Sequence, residues 1–568
     1  MIKSIFSGFL FFVFFCFSLV TPVRQVQAQS RQDGTQSSDE SLPEIEKLLD
    51  SEEETTKNED LLEQLDFLKS NPLDLNRADA SDLIEIPWIS PPLALAIVSY
   101  RRQIGHFHSL EELKIIAGID DDFIQKIRPF LFVPEKPVKF FSGNLRLRFK
   151  RDKPNVNTIY HRSQITIKER LKAGFLIEKK ETTRTKFFLS VDSPIPIIHR
   201  AVGGNYKLSF GQGLLFSGLN PVFQGRGVKF NTPTEIRPSL ASTSLCGGAI
   251  DLRIRDFDLF FYGSFHHEKL FGSRLVWKLS PEKFQFGLTG YHSSFSSSEN
   301  SLVSTDFDFF SKNLNLFGEL AQNKGGGKGV VLGSILDFGK FFLETSLRRV
   351  NKKFFSPYSF FENSAEEKLT FALKYKLFSG TELAGFFSQS NHYEKISGRE
   401  EERSLEWEQR LRSDLSFTLR QERRQKDFAS EQRDKTRFEL CYQVFPQLNW
   451  RTRLEQIFSK TKGIPGQEKG NLIFSELDGK IFKNLSGQLR MIFFDTDSYN
   501  CRVYEYEGKP AGVSSNVVLY GKGRRWMVAL GEKFSSSISV STKYARTDYY
   551  LKTKSPQQDF AWQLDWRW

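Results

Sequence analysis

The chain has 568 residues, 39% of them hydrophobic, with 56 Phe, 16 Tyr and 8 Trp, yet its mean hydropathy is −0.40. Such a polar, aromatic-rich chain needs no helical membrane span, and it is long enough for two domains or one large barrel. Its formal charge of +12 is uneven: residues 1–30 carry two basic side chains, residues 31–70 carry four basic and 13 acidic ones and residues 71–133 carry six and nine, which leaves +22 on residues 134–568.

Residues 1–28 have the layout of a secretory signal peptide. Lys3 opens it, Ile5 to Val20 is almost wholly apolar, and Val26-Gln27-Ala28 offers small residues for cleavage. Residues 29–60, rich in Gln, Ser, Asp and Glu with an unbroken Glu52-Glu53-Glu54, read as a disordered acidic tether. Leu61, Leu62, Leu65 and Leu68 then fall at helical spacing. Of the four cysteines, Cys16 leaves with the signal; Cys246, Cys441 and Cys501 show no C-x-x-C spacing, so neither a disulfide framework nor a zinc site is indicated, and one disulfide stays open.

Residues 61–135 form a small all-α domain. Asn76 is placed to cap a helix containing Leu83, Ile84 and Ile86, and Pro87-Trp88-Ile89-Ser90-Pro91 turns into a second helix, Leu93 to Arg102. Ser109-Leu110-Glu111-Glu112 has capping-box spacing for a third, and Gly118-Ile119-Asp120 leads into a fourth. The run Leu75-Asn76-Arg77-Ala78, the Pro87 turn, Ala94, Tyr100-Arg101, Gly105, Phe107, Ser109, Leu113 and Gly118-Ile119 resembles the tandem helix-hairpin-helix domain of competence-type DNA receptors. That resemblance implies two turns, Trp88-Ile89-Ser90 and Gly118-Ile119-Asp120, whose backbone amides contact a phosphate or a partner. Here Trp88 and Ser90 replace the glycines of the first turn, and Asp120, Asp121 and Asp122 stand where phosphate would sit. With a net charge of −3 over residues 71–133 the domain also lacks the usual counterion-release term. Protein docking is favoured over DNA binding, with Arg101 and Arg102 as the basic contacts if nucleic acid is bound.

From about residue 138 to 568 the pattern has a period of two. Leu145, Leu147 and Phe149 alternate with Arg146, Arg148 and Lys150; Leu369, Phe371, Leu373, Tyr375 and Leu377 alternate with Lys368, Thr370, Ala372, Lys374 and Lys376. Each such run fits a strand with one face in hydrocarbon and the other in water. At ~10 residues per strand, roughly 16–20 antiparallel strands are expected. Polar inserts at His292–Ser301, Ser388–Glu402, Gln421–Lys435 and Ser459–Gly470 are expected as external loops. Glycines between Gly203 and Gly213 sit inside a strand pattern, where they signal a bend or a close backbone approach.

The chain ends on Phe560, Trp562, Leu564, Trp566 and Trp568, alternating with Ala561, Gln563, Asp565 and Arg567. This ending resembles the C-terminal signal of bacterial outer-membrane barrels, which the insertion machinery reads, and it is expected to close the barrel. The stretches Asn71 to Asn76, Gly203 to Leu214, Tyr504-Glu505-Tyr506-Glu507 and Gly521-Lys522-Gly523 are similar to an outer-membrane β-barrel family that joins helix-hairpin-helix repeats to a C-terminal barrel. That family implies an architecture and no established reaction.

No set of residues selects a chemistry. His266-His267-Glu268 is metal-like in composition, but neighbouring strand residues point to opposite faces; Asp495 and Asp497 share a face and suit a turn better than a cation. The reading is therefore an α+β chain that is not an enzyme, with no cofactor, no metal and no catalytic residue. It is a barrel in the outer membrane of a Gram-negative bacterium, with lipid around it and its helical domain in the periplasm facing a protein partner. It serves transport, secretion or envelope assembly, the acidic domain docking at or gating a basic lumen. The alternative is DNA uptake through the barrel.

Overall fold

The computed structural model describes residues 65, 68–69, 72–78, 80–133 and 140–568, apart from 154–155, 169, 217–222, 225–226, 229–234, 242–243, 266–268, 281–282, 296–297, 360–364, 394–397, 428, 462, 464–465, 509, 511–515 and 551–554. The signal peptide, the tether, Cys16 and the His266-His267-Glu268 cluster lie outside the described residues.

A small helical region precedes a large barrel. Among the described residues its helices are α1 (Ala80–Ile84), α2 (Pro91–Ile104) and α3 (Asp121–Ile127), with Leu65, Leu68 and Lys69 also helical and 3-10 turns at Leu110–Ile115 and Arg128–Phe130. A parallel pair of two-residue strands, Leu73–Asp74 and Leu131–Phe132, ties the region's ends together. Leu65, Leu68, Leu83, Ile89, Ile97, Leu113, Ile124 and Phe130 share one buried core.

Twenty-four antiparallel strands, from Phe141–Lys153 to Gln557–Arg567, then close into a barrel. Closure pairs the last strand with the first: Leu147 lies opposite Leu564, Phe149 opposite Trp562 and Arg146 opposite Asp565. Trp568 completes the seam with two backbone bonds to Gly143, each 3.1 Å. A barrel must close in this way in a bilayer, because an open edge would leave its N–H and C=O groups unsatisfied in hydrocarbon.

Side-chain parity separates two environments. On the Leu485–Thr496 strand, Leu489 and Met491 are 48% and 45% exposed while Arg490 between them is 2% exposed. On the closing strand Phe560 and Trp566 face outward, and Ala561 and Gln563 are buried. The outer face is thus apolar and the inner face carries the charge.

The strand count exceeds the expected 16–20. Connections at one end hold only two to four residues, and the inserts expected as loops are largely strand: Phe284–Phe295 and Ser298–Ser311 run through His292–Ser301, and Thr381–His392 and Gly398–Arg412 through Ser388–Glu402. Less chain is spent on loops, so more strands fit. The remaining turns of all four inserts lie at one end, opposite the short-turn end where the barrel begins and finishes.

Candidate functional site

The second helix is set by its caps. Ser90 is the N-cap and accepts from the Leu93 N–H at 3.3 Å, Pro91 stands at the first position, and Gly105 at φ 86° closes the helix with its N–H on the Arg101 carbonyl. Asn76 does not cap a helix as expected, since α1 begins at Ala80; its amide instead bridges the Phe107 backbone, donating at 2.9 Å and accepting at 2.7 Å. Ser109 makes no side-chain cap either, and the segment after it winds as a 3-10 turn rather than an α-helix. Asp120 caps α3 by accepting from the Phe123 N–H at 2.9 Å.

Both hairpin turns face the short-turn rim of the barrel. The Ser90 hydroxyl donates to Asp337 at 2.5 Å, and Asp337 also accepts the N–H of Gly339 at 2.9 Å, which shapes the turn between the Lys328–Asp337 and Phe341–Val350 strands. Gly118, at φ 95°, lies flat on Gly339, at φ 78°; a Cβ on Gly118 would come 2.7 Å from the Gly339 Cα. The two turns that would face phosphate in a DNA-binding hairpin thus lie against a carboxylate and a turn of the chain's own barrel.

Ion pairs extend this contact. Asp120 takes a hydrogen bond from Lys376 at 2.8 Å, Asp122 pairs with Arg410 at 2.5 Å and Glu85 pairs with Arg237 at 2.7 Å. The first two are half-exposed, so each contributes no more than about 1 kcal/mol. Glu85 is buried and Arg237 largely so, and breaking that pair costs about 3–5 kcal/mol. Burial alone would raise the Asp120 carboxyl, but Lys376 and the Phe123 N–H outweigh it and hold the group below its usual 3.8. Its contribution to docking is therefore complete above that pH and lost only in stronger acid.

Of the other site residues singled out in the sequence, Trp88 packs against Phe130 with ring centres 5.7 Å apart, and Ile89 and Ile119 are buried in the helical core. Arg101 is turned inward, donating to the carbonyls of Leu75 at 2.7 Å and Ala78 at 2.6 Å, which makes it a latch within the domain. Arg102 is exposed on the same helix.

The lumen holds two segments that sequence reasoning did not place there. The first parts from the Thr183–Ile195 strand at Gly204, where φ is 90° and a Cβ would come 2.5 Å from the Phe187 carbonyl oxygen, while Asn205 and Tyr206 still pair with Cys246 and Leu245. Beyond it Tyr206–Ser209 pairs with Glu235–Pro238. Phe210 and Phe216 pack among the inward Phe260, Tyr262 and Tyr291, and Glu319 accepts the N–H groups of Gln212 at 2.8 Å and Leu214 at 3.0 Å. The second is the hairpin of Val503–Tyr506 and Asn516–Leu519, which enters from the long-loop end. Glu505 lies 3.1 Å from Arg453 and 3.3 Å from Arg490, Glu507 lies 2.7 Å from Arg525 and 2.6 Å from Lys543, and between them Tyr506 joins the core of the helical domain. These arginines alternate with outward-facing Leu454, Leu489 and Met491, so the hairpin is inside the barrel.

Among the described residues no cluster of His, Cys, Asp and Glu has the geometry of a metal site. Asp495 pairs with Lys522 at 2.5 Å and Asp497 accepts the Lys469 N–H at 2.7 Å. Cys246, Cys441 and Cys501 form no disulfide.

Residues 69–132 match the helix-hairpin-helix motif family. A mouse protein, endonuclease/exonuclease/phosphatase family domain-containing protein 1, is 32% identical over 80 residues, which are 14% of this chain and 14% of that protein. Among solved structures, the P pilus usher PapC translocation pore is similar at 11% identity, covering 75% of this chain and 99% of that one with a TM-score of 0.41. The siderophore receptor PirA of Pseudomonas aeruginosa is similar at 10% identity, covering 77% and 82% with a TM-score of 0.40. The chain joins a helix-hairpin-helix motif to a large closed antiparallel barrel.

Proposed function

We propose that the protein is a gated conduit of the bacterial outer membrane, serving transport or secretion, with the helix-hairpin-helix domain as its gate on the periplasmic side. The observation that carries this reading is the seating of both hairpin turns on the short-turn rim, with Tyr506 of the lumenal hairpin packed on the same domain. Short turns mark the periplasmic end of such barrels. Lipid covers the apolar belt, the C-terminal strand addresses the insertion machinery, and a periplasmic protein that binds the helical domain is the natural opener. No reaction is assigned. DNA capture through the hairpins finds less support, because the turns that would hold phosphate are held by Asp337 and Gly339.

A charge swap tests the gate. In planar bilayers the intact protein should be mostly closed, Glu85→Arg should open it by setting like charges against Arg237, and adding Arg237→Glu should close it again. Equal conductance in all three proteins would remove the gating role.

A further inference from the structure

The short-turn rim of the barrel repeatedly sets an exposed aromatic ring beside an exposed base. Phe482 adjoins Lys483 in the turn after the Glu468–Lys480 strand, Phe534 adjoins Lys533 at the end of the Lys522–Lys533 strand, and Phe338 stands two residues from Lys340. Phe257 stands two residues from Arg255, past the Leu245–Ile254 strand. Phe140 accepts the Lys168 N–H on its carbonyl at 2.8 Å, and the Lys168 ammonium lies 5.0 Å from the centre of its ring. Phe140, Phe482 and Phe534 are 66%, 69% and 61% exposed, so packing within the chain does not account for these rings. Leu489 and Leu530 stand above the Phe482 and Phe534 turns on the outer face, which makes the rings a continuation of that apolar surface.

The bases are as open as the rings. Lys283 and Lys312 occupy the two turns between Arg255 and Lys340, so four successive short turns carry one each, and Arg170 adds a second beside Lys168. Among the described residues none of these side chains enters an ion pair. The carboxylates next to them are fewer, namely Glu169, Asp256, Glu282 and Glu532, and Asp337 is engaged by Ser90.

The pairs recur around the rim instead of gathering in one patch. A folded partner would meet one side of the barrel, and protein interfaces are poor in lysine. A surface that meets the rim on every side is a lipid leaflet, where aromatic rings take the boundary of the apolar layer and long basic side chains reach the headgroups. We infer that the short-turn rim is a binding surface for anionic phospholipid headgroups of the periplasmic leaflet, with the rings in the acyl boundary and the lysines and arginines on phosphate. The inference rests on the outer-membrane reading proposed above and is independent of the gate.

The test adds phosphatidylglycerol or phosphatidylcholine to the full chain in detergent and reads bound lipid by native mass spectrometry. The intact protein should retain phosphatidylglycerol in preference, and inorganic phosphate at the same concentration should not displace it. Lys168→Gln, Lys483→Gln and Lys533→Gln together should lower that retention at least about tenfold while heat-modifiable migration on gels is kept. Arginine at the same three positions should preserve it. Equal retention of the two lipids, retention that ignores the glutamine substitutions, or displacement by inorganic phosphate overturns the lipid surface and leaves the barrel standing. An intact protein without heat-modifiable migration overturns the outer-membrane reading and this surface with it.

Discussion

Glu507→Gln should destabilise the barrel more than any other single polar substitution in the second lumenal segment. The Glu507 carboxylate is fully buried and receives two bonds from Arg525, at 2.7 and 2.9 Å, and one from Lys543 at 2.6 Å. Arg525 has a further carboxylate in Asp559 at 2.6 Å, but Lys543 and Arg525 together are then two buried cations sharing one partially exposed anion. Removing one member of a buried pair leaves its partner uncompensated and costs about 3–5 kcal/mol. The midpoint of the shift from folded to unfolded migration on heated gels should fall markedly. Glu507→Asp, which retains the charge, should fall less. An unchanged midpoint for Glu507→Gln would show that the hairpin is not clamped to the wall by this carboxylate.

Gly339→Val should unseat the helical domain without touching its own residues. Gly339 has a φ of 78°, where a β-branched residue is strained by about 1–3 kcal/mol. A Cβ there would also come 2.8 Å from the Gly118 nitrogen. The domain cannot relieve this by a small shift, since Asp337 on the same turn holds Ser90. Limited proteolysis of the protein in detergent should cut the helical domain far faster in the variant, and bilayer conductance should rise. Equal cutting in both proteins would mean that the two glycines do not define the seat.

Much of the fold was legible because an apolar outer face and a charged inner face impose a strict parity. Leu369 to Leu377 and Phe560 to Trp568 alternate in a way that fixes both the strand and its outward face, and the period of two survives in nearly every wall strand. The strand number was less legible: segments such as His292–Ser301 are polar because they flank the long-loop end, and polarity there looks the same in a loop and in a strand that rises past the hydrocarbon. The glycines between Gly203 and Gly213 did signal a bend, yet nothing local says that a bent strand turns into the lumen. That depends on partners such as Glu319, more than a hundred residues away.

The site was legible only in part. The replacement of turn glycines by Trp88 and Ser90, and the aspartates at Asp120 to Asp122, pointed away from phosphate. The true counterparts, Asp337, Gly339, Lys376 and Arg410, belong to ordinary strand ends and a short turn, with no spacing to connect them to a hairpin. Tyr504 to Glu507 stood out, but its glutamates only acquire meaning beside Arg453, Arg490, Arg525 and Lys543, which four different strands bring together.

The most direct test of a barrel gated by its own helical domain is single-channel conductance after deletion of residues 31–133, with the barrel and export signal retained. The gated barrel predicts an inserted, heat-modifiable protein whose conductance in planar bilayers is well above that of the intact chain. Conductance equal to that of the intact chain, from a barrel that inserts normally, would contradict it.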